Sequence, residues 1–557
     1  MNAASSPATP PIDTTTLAER VRAASLGQGE IAVIDVREQY AYSQALILLS
    51  ANLPLQRLEL SAATALPRLA TPIVIVDQHG ELAEQAAQRL RQLGYSDLSI
   101  LDGGIQAWQH AGLSLYDGFN VRSKAFAEQI EHDFATPAIT ATELLARQAR
   151  GEDILVLDSR PYDEYHHSTV PGALSVPGAE LVRNVRDIAP DPSTTLVVSC
   201  GGRTRSIVGA QSLISAGVPN KVLSLRNGTG GLRLDGIELQ YGAVHAHASP
   251  SDDALAWAEN AAAQWDAPTL SAAQFNDWEA DRQRTVYVLD LREAPSFAAG
   301  HHPRARNVSG GQVLQAIDVH APVWNARIVL IDEPSLVRAR QTAYWLAQLG
   351  SFEVGIISQP DVPGAVVQGA ASPVVRQAQQ AKIGLVDPGQ LSTALQAAPG
   401  QPRPQVIDLS LSPAYRKTHI PGSQWALRSQ LPELLASIGA AQPVILTCED
   451  GRLSRVAAEY LVAEQPERVS RLFALNGGNH AWQAAGLPSE ASQINGPEDV
   501  AHFVDVWTPP QQTIGDMLGA VKKYLNWEVD LLAQLARDPL KDVIICGLQV
   551  PARATSA

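Results

Sequence analysis

The stretches ILVLDSR (Ile154–Arg160) and TLVVSCGGRTRS (Thr195–Ser206) decide how this chain is read. Each is an apolar run that closes on one polar residue, Asp158 in the first and Cys200 in the second. The pair recurs as IAVIDVRE with PIVIVDQHG, VYVLDLRE with RIVLIDEPS, and QVIDLS with PVILTCEDGRLS. The separation is 42 residues from Asp35 to Asp77, from Asp158 to Cys200 and from Asp290 to Asp332, and 40 from Asp408 to Cys448. Such regular spacing marks a four-fold repeat, and each repeat is read as one structural unit. Two units therefore end their second run on a thiol and two on a carboxylate.

Short Val/Ile/Leu runs alternate with helix-like text throughout. Continuous apolar strands are what a parallel sheet covered on both faces requires. ITATELLARQARG predicts a helix with Thr140 as N-cap and Glu143 three residues on. The stretch SIVGAQSLISAGV predicts an amphipathic helix ending at Gly217. The expected fold is α/β, with four tandem domains that each carry a parallel sheet flanked by helices. The units fall at residues 12–118, 136–243, 267–365 and 385–493, with a helical C-terminal extension over 494–557. A third signature, a glycine turn before a helix, appears as LDGGIQAWQHAGL, LRNGTGGLRLDG and LNGGNHAWQAAGL, but the third unit has GIISQPDVPG instead. Polar stretches such as FNVRSKAFAEQIEHDFATP read as linkers, and the alternating Asp/Cys pattern suggests that units one and two pair, and three and four. The tail helix around VKKYLNWEVDLLAQLARD is expected to pack on its own protein.

Composition narrows the function. The 557 residues are 45% apolar and 18% charged, which suits packed globular units. A net charge of −15 disfavours a nucleic-acid partner. No apolar run is long enough for a membrane span, and the N-terminal text does not resemble a secretory signal. Three cysteines, well separated, fit thiol chemistry in a reducing, cytoplasmic setting rather than a disulfide framework. No Cys or His pair has zinc-ligand spacing, so neither a metal nor a cofactor is expected.

The chemical text is Cys200-Gly201-Gly202-Arg203-Thr204-Arg205. A thiol at a strand end, followed by a glycine loop and a helix start, faces backbone N–H groups and the positive helix end. With Arg203 and Arg205 beside it, this setting favours a thiolate nucleophile. Cys448, with Gly451 and Arg452, has a similar loop, but Glu449 and Asp450 place two carboxylates next to the sulfur. Asp158 and Arg160 are read as a fold-holding ion pair, Cys546 as a small core residue, and Trp108 and Trp482 as packing residues.

These residues resemble the rhodanese (thiosulfate sulfurtransferase) family. The VLDSR strand, the VPGA turn at Val170–Ala173, the six-residue loop from Cys200 to Arg205 and the GG-x-x-A-W endings of units one and four carry the likeness. It covers the chain to about residue 493. The resemblance implies a sulfane-sulfur transfer through a Cys200 persulfide, from thiosulfate or a related donor to cyanide, a thiol or a sulfur-accepting protein. It implies that Gly201, Gly202, Arg203, Thr204 and Arg205 hold the donor, and that Gly451 and Arg452 serve Cys448 as a weaker site. Units one and three, with Asp77 and Asp332, would be inactive partners. Two other readings share this text. One is a persulfide carrier or scaffold without turnover. The other is a cysteine-dependent phosphatase, whose loop is typically one residue longer.

Overall fold

The structure, a computed structural model, describes residues 8–371, 383–396, 403–439, 442–464 and 470–548. Four sheets run along the chain. In the second unit the strand order is Ala138–Ile139, Val222–Leu225, Thr195–Ser199, Ile154–Asp158, Leu174–Ser175, with every neighbouring pair parallel. Unit four repeats this order with Gly384–Val386, Leu472–Leu475, Val444–Thr447, Gln405–Asp408 and Gln424–Trp425. The constant spacing in sequence is a register in space: Asp158 lies opposite Ser199, Asp35 opposite Val76, Asp290 opposite Ile331 and Asp408 opposite Thr447. Each repeated aspartate is thus aligned with the residue just before the thiol or its replacement. The strands are buried because helices cover both faces, as the unbroken apolar runs require. Thr140 caps its helix as read, accepting from the Glu143 N–H at 3.2 Å.

The first sheet departs from the expectation of self-contained parallel units. Its strand Ile31–Asp35, which has Ile73–Val76 and Ala51–Asn52 as parallel neighbours, also pairs, antiparallel, with Val323–Trp324 of the third unit. The expected one-with-two and three-with-four pairing is likewise corrected. Unit three packs on unit one, where the Tyr287 hydroxyl donates to the Ala65 carbonyl at 2.6 Å. It also packs on unit two, where Arg338 pairs with Glu180 at 2.8 Å. Unit four packs on unit one through a bidentate Arg428–Glu59 pair at 2.7 and 2.8 Å. Buried charges need partners, and partners supplied by another unit cannot be read from a local motif.

One segment read as a linker is structural, and the tail packs on its own protein as expected. The stretch read as a polar linker contains a helix, Val121–Phe134, whose Arg122, Lys124 and Glu128 are buried. The tail forms the Met517–Arg537 helix, which lays Leu531 and Leu535 into the first unit's core. Cys546 is exposed, so its reading as a core residue is corrected: the buried part of the apolar run, Val543 and Ile544, belongs to the short Lys541–Ile544 helix, and Cys546 lies past its end. Trp108 and Trp482 are buried and donate to the Ser114 and Pro488 carbonyls, as packing residues do. The stretch between units three and four, QGAASPVVRQAQQAKIG, lies largely outside the described residues.

Candidate active site

The Thr195–Ser199 strand delivers Cys200 to the carboxyl edge of its sheet, and the Thr204–Ser215 helix starts four residues later. Asp158 and Arg160 form the expected ion pair, with Arg160 Nε and Nη2 at 2.9 and 2.6 Å. Ser159 Oγ donates to the Ser199 carbonyl at 2.8 Å, which fixes the strand end. The glycine-turn signature has a mechanical role. The start of the Gly228–Leu234 helix donates Thr229 N–H to the Cys200 carbonyl at 2.9 Å and Gly230 N–H to the Gly201 carbonyl at 3.1 Å. Gly228 sits at φ +50°, and a Cβ there would lie 2.1 Å from the Cys200 carbonyl oxygen. Only glycine permits that approach. Cys200 is 2% exposed, and its thiol donates to Ser206 Oγ at 3.6 Å.

The two arginines do not point freely at the sulfur. Arg203 is held by Glu128 of the 121–134 helix at 2.6 and 2.8 Å, and also by Glu131. Arg205 makes a bidentate pair with Glu164 at 2.7 and 2.9 Å and a bond to Gln312 of unit three at 3.1 Å. Burial disfavours both charges, but the carboxylates outweigh it and hold both guanidiniums firmly protonated. Thr204, next to them, is buried at the helix start.

The tail helix closes the site. Leu525 and Val521 pack on Gly230, and Glu528 lies against Gly202. Tyr524 donates to Glu528 Oε1 at 2.9 Å. Lys124 sits 5.7–5.8 Å from the ring centres of Trp507, Tyr524 and Trp527. Sequence reading missed Glu128, Glu131, Lys124, Glu164, Gln312, Tyr524 and Glu528. The one signal available was the amphipathic pattern of the tail, which does not say what it covers.

The other three loops differ in what fills them. Asp77 accepts from the N–H groups of Gly80, Leu82 (2.8 Å) and Ala83 (3.0 Å). Asp332 accepts from Glu333 N–H at 2.8 Å, Ala339 N–H at 3.0 Å and Arg338 Nε at 2.8 Å. Cys448 accepts from Ser454 N–H at 3.4 Å and lies 3.9 Å from Asp450. Burial first, and Asp450 with it, pushes this thiol up. Gly451 adopts φ +80° against Gly477 and Gly478, while Arg452 turns outward, 49% exposed, to pair with Asp450 at 2.6 Å. With Ser410 in place of the usual arginine, Asp408 accepts from Ser410 N–H at 2.9 Å and Asn479 Nδ2 at 2.7 Å. Among the described residues one group, Glu180, His247 and Glu293, has metal-like proximity, but Glu180 is already paired with Arg183 and Arg338.

Four sheet units, each with a strand–loop–helix at the carboxyl edge and two of them with a thiol at that strand end, make a tandem α/β protein. A model of the rhodanese-like domain matches residues 18–111, 140–233 and 391–485. The crystal structure of thiosulfate sulfurtransferase from Pseudomonas aeruginosa superposes with a TM-score of 0.87 at 39% identity, covering 97% of this chain and 99% of that one. Thiosulfate sulfurtransferase GlpE of Vibrio cholerae is 29% identical over 99 residues, 18% of this chain and 91% of the relative. The 3-mercaptopyruvate sulfurtransferase of Escherichia coli K12 is 30% identical over 171 residues, 26% of this chain and 60% of the relative. The chain belongs to the rhodanese family and is a sulfurtransferase of the rhodanese type. No helix among the described residues is long and apolar enough to cross a membrane.

Proposed function

We propose that the protein moves a sulfane sulfur through a persulfide on Cys200. The donor is thiosulfate or a related compound such as 3-mercaptopyruvate, the donor in the name of the Escherichia coli relative. The thiolate attacks the outer sulfur of thiosulfate, the S–S bond breaks, and sulfite leaves with the electron pair. Cyanide or a thiol, free or on a protein, then takes the outer sulfur and restores the thiolate. Gly201, Gly202 and the helix start at Thr204 hold the charge, and Arg203 and Arg205 frame the loop through their carboxylate partners. The observation that carries this reading is the Cys200 loop itself, a strand-end thiol whose own six residues include two arginines and no carboxylate. That six-residue length favours sulfur transfer over phosphate chemistry. Cys448 is a secondary thiol, and units one and three are inactive in transfer because an aspartate holds the N–H groups at their strand ends.

Thiocyanate formation from thiosulfate and cyanide tests the assignment. Cys200→Ser should abolish most turnover and Cys448→Ser little, with a persulfide on Cys200 seen by mass spectrometry. Equal losses from the two changes would sink the division of roles. A persulfide that forms on Cys200 without turnover would instead support the carrier reading.

A further inference from the structure

We propose that Glu528, carried by the tail helix, is the general base of the Cys200 site for thiol acceptors; this rests on the persulfide reading above. The side chain is 2% exposed, yet Oε2 has no hydrogen-bond partner. That oxygen lies 2.9 Å from where a Cβ would stand on Gly202, inside the six-residue loop. Oε1 is fixed by the Tyr524 hydroxyl at 2.9 Å, so the free oxygen has one orientation. A buried carboxylate oxygen left without a donor is costly for structure alone, and it waits at the loop where an acceptor must arrive.

The charged groups facing Glu528 are Lys124 and Glu128 of the 121–134 helix and Arg203 of the loop, with Tyr524 on its own helix. Burial lifts its carboxyl to about 7, while Lys124, Tyr524 and Arg203 pull the other way and Glu128 adds to the rise. Such a group changes protonation across neutral pH, where a general base works best. The acceptor sulfur attacks the outer sulfur of the persulfide and gives its proton to Glu528 Oε2. A new S–S bond forms on the acceptor, the old S–S bond breaks, and the electron pair returns to Cys200 Sγ. The cyanide anion, which is the attacking form, makes a C–S bond instead and has no proton to give up in that step.

The two acceptors therefore separate chemistry from structure. Wild type and Glu528→Gln are loaded with thiosulfate, and the persulfide is discharged with dithiothreitol or with cyanide in single turnover. The variant should discharge to dithiothreitol about 100-fold more slowly, and to cyanide far less so. In wild type the dithiothreitol rate should climb as pH rises through about 7, because the base is then unprotonated. The variant should lack the rise near 7 and keep only the climb at higher pH set by the acceptor thiol's own ionisation, and Glu528→Asp should restore part of the rise near 7. Equal slowing with both acceptors, or no slowing with dithiothreitol, overturns the proposal. A wild type that holds no persulfide overturns the underlying reading, and this one with it.

Discussion

At the scale of single residues, the four strand ends offer one set of N–H donors to two kinds of anion. Asp77 and Asp332 are permanent occupants, satisfied by backbone N–H groups that no incoming ligand can then use. The alternation of Asp and Cys was plain in the chain, but the carboxylates' structural role was not, since it depends on where the loop N–H groups point. Cys448 stands between these cases: a thiol held up by burial and by Asp450. Removing that charge favours the thiolate, so Asp450→Asn should lower the thiol's titration point. Alkylation of Cys448 by iodoacetamide near pH 8 should then speed up severalfold, followed by peptide mass spectrometry. An unchanged rate would mean that burial alone controls this sulfur.

Among the elements, the short glycine helix is the part whose purpose the spacing concealed. It grips the loop carbonyls in unit two at Thr229 and Gly230, and in unit four Asn479 N–H donates to the Cys448 carbonyl at 2.8 Å. Gly228 and Gly172 both have positive φ, +50° and +75°, but only Gly228 meets a neighbour, while Gly172 faces open space. Alanine at Gly172 should cost about 1 kcal/mol, the left-handed penalty. Alanine at Gly228 adds overpacking of about 1–3 kcal/mol and moves the Cys200 carbonyl, so urea stability and thiocyanate turnover should both fall. Similar losses at the two positions would show that backbone angle, not close approach, is what matters. Strand register was legible because fixed spacing survives folding into parallel neighbours. The partners of the 121–134 and 517–537 helices were not, because an amphipathic pattern reports a buried face without naming what buries it.

At the scale of the whole molecule, the units are tied by charges that leave their own domains. Glu30 of unit one accepts from the Thr285 N–H of unit three at 2.6 Å, Arg338 reaches Glu180, and Arg428 reaches Glu59. The tail adds a further tie, with Asp505 accepting from Ser412 N–H at 2.7 Å and Tyr116 donating to Asp538 at 2.7 Å. Sequence order suggested neighbours in pairs; the ion pairs place unit four on unit one instead. The Arg428–Glu59 contact is the sharpest test of that arrangement, since both side chains are buried. Burial pulls the Glu59 carboxyl up, but Arg428 and Arg89 outweigh it and hold it below its ordinary 4.5. Its contribution is therefore present above pH 4.5 and drains as pH falls through the lowered folded value. Glu59→Ala strands a buried guanidinium and should cost about 3–5 kcal/mol at this contact, whereas an apolar pair such as Glu59→Leu with Arg428→Met should recover most of it. Hydrogen exchange reads this locally: the single change should speed exchange in both Leu58–Ala65 of unit one and Leu431–Ser437 of unit four, and the double change should restore protection in both. Faster exchange confined to unit one would separate the two units and undo the pairing.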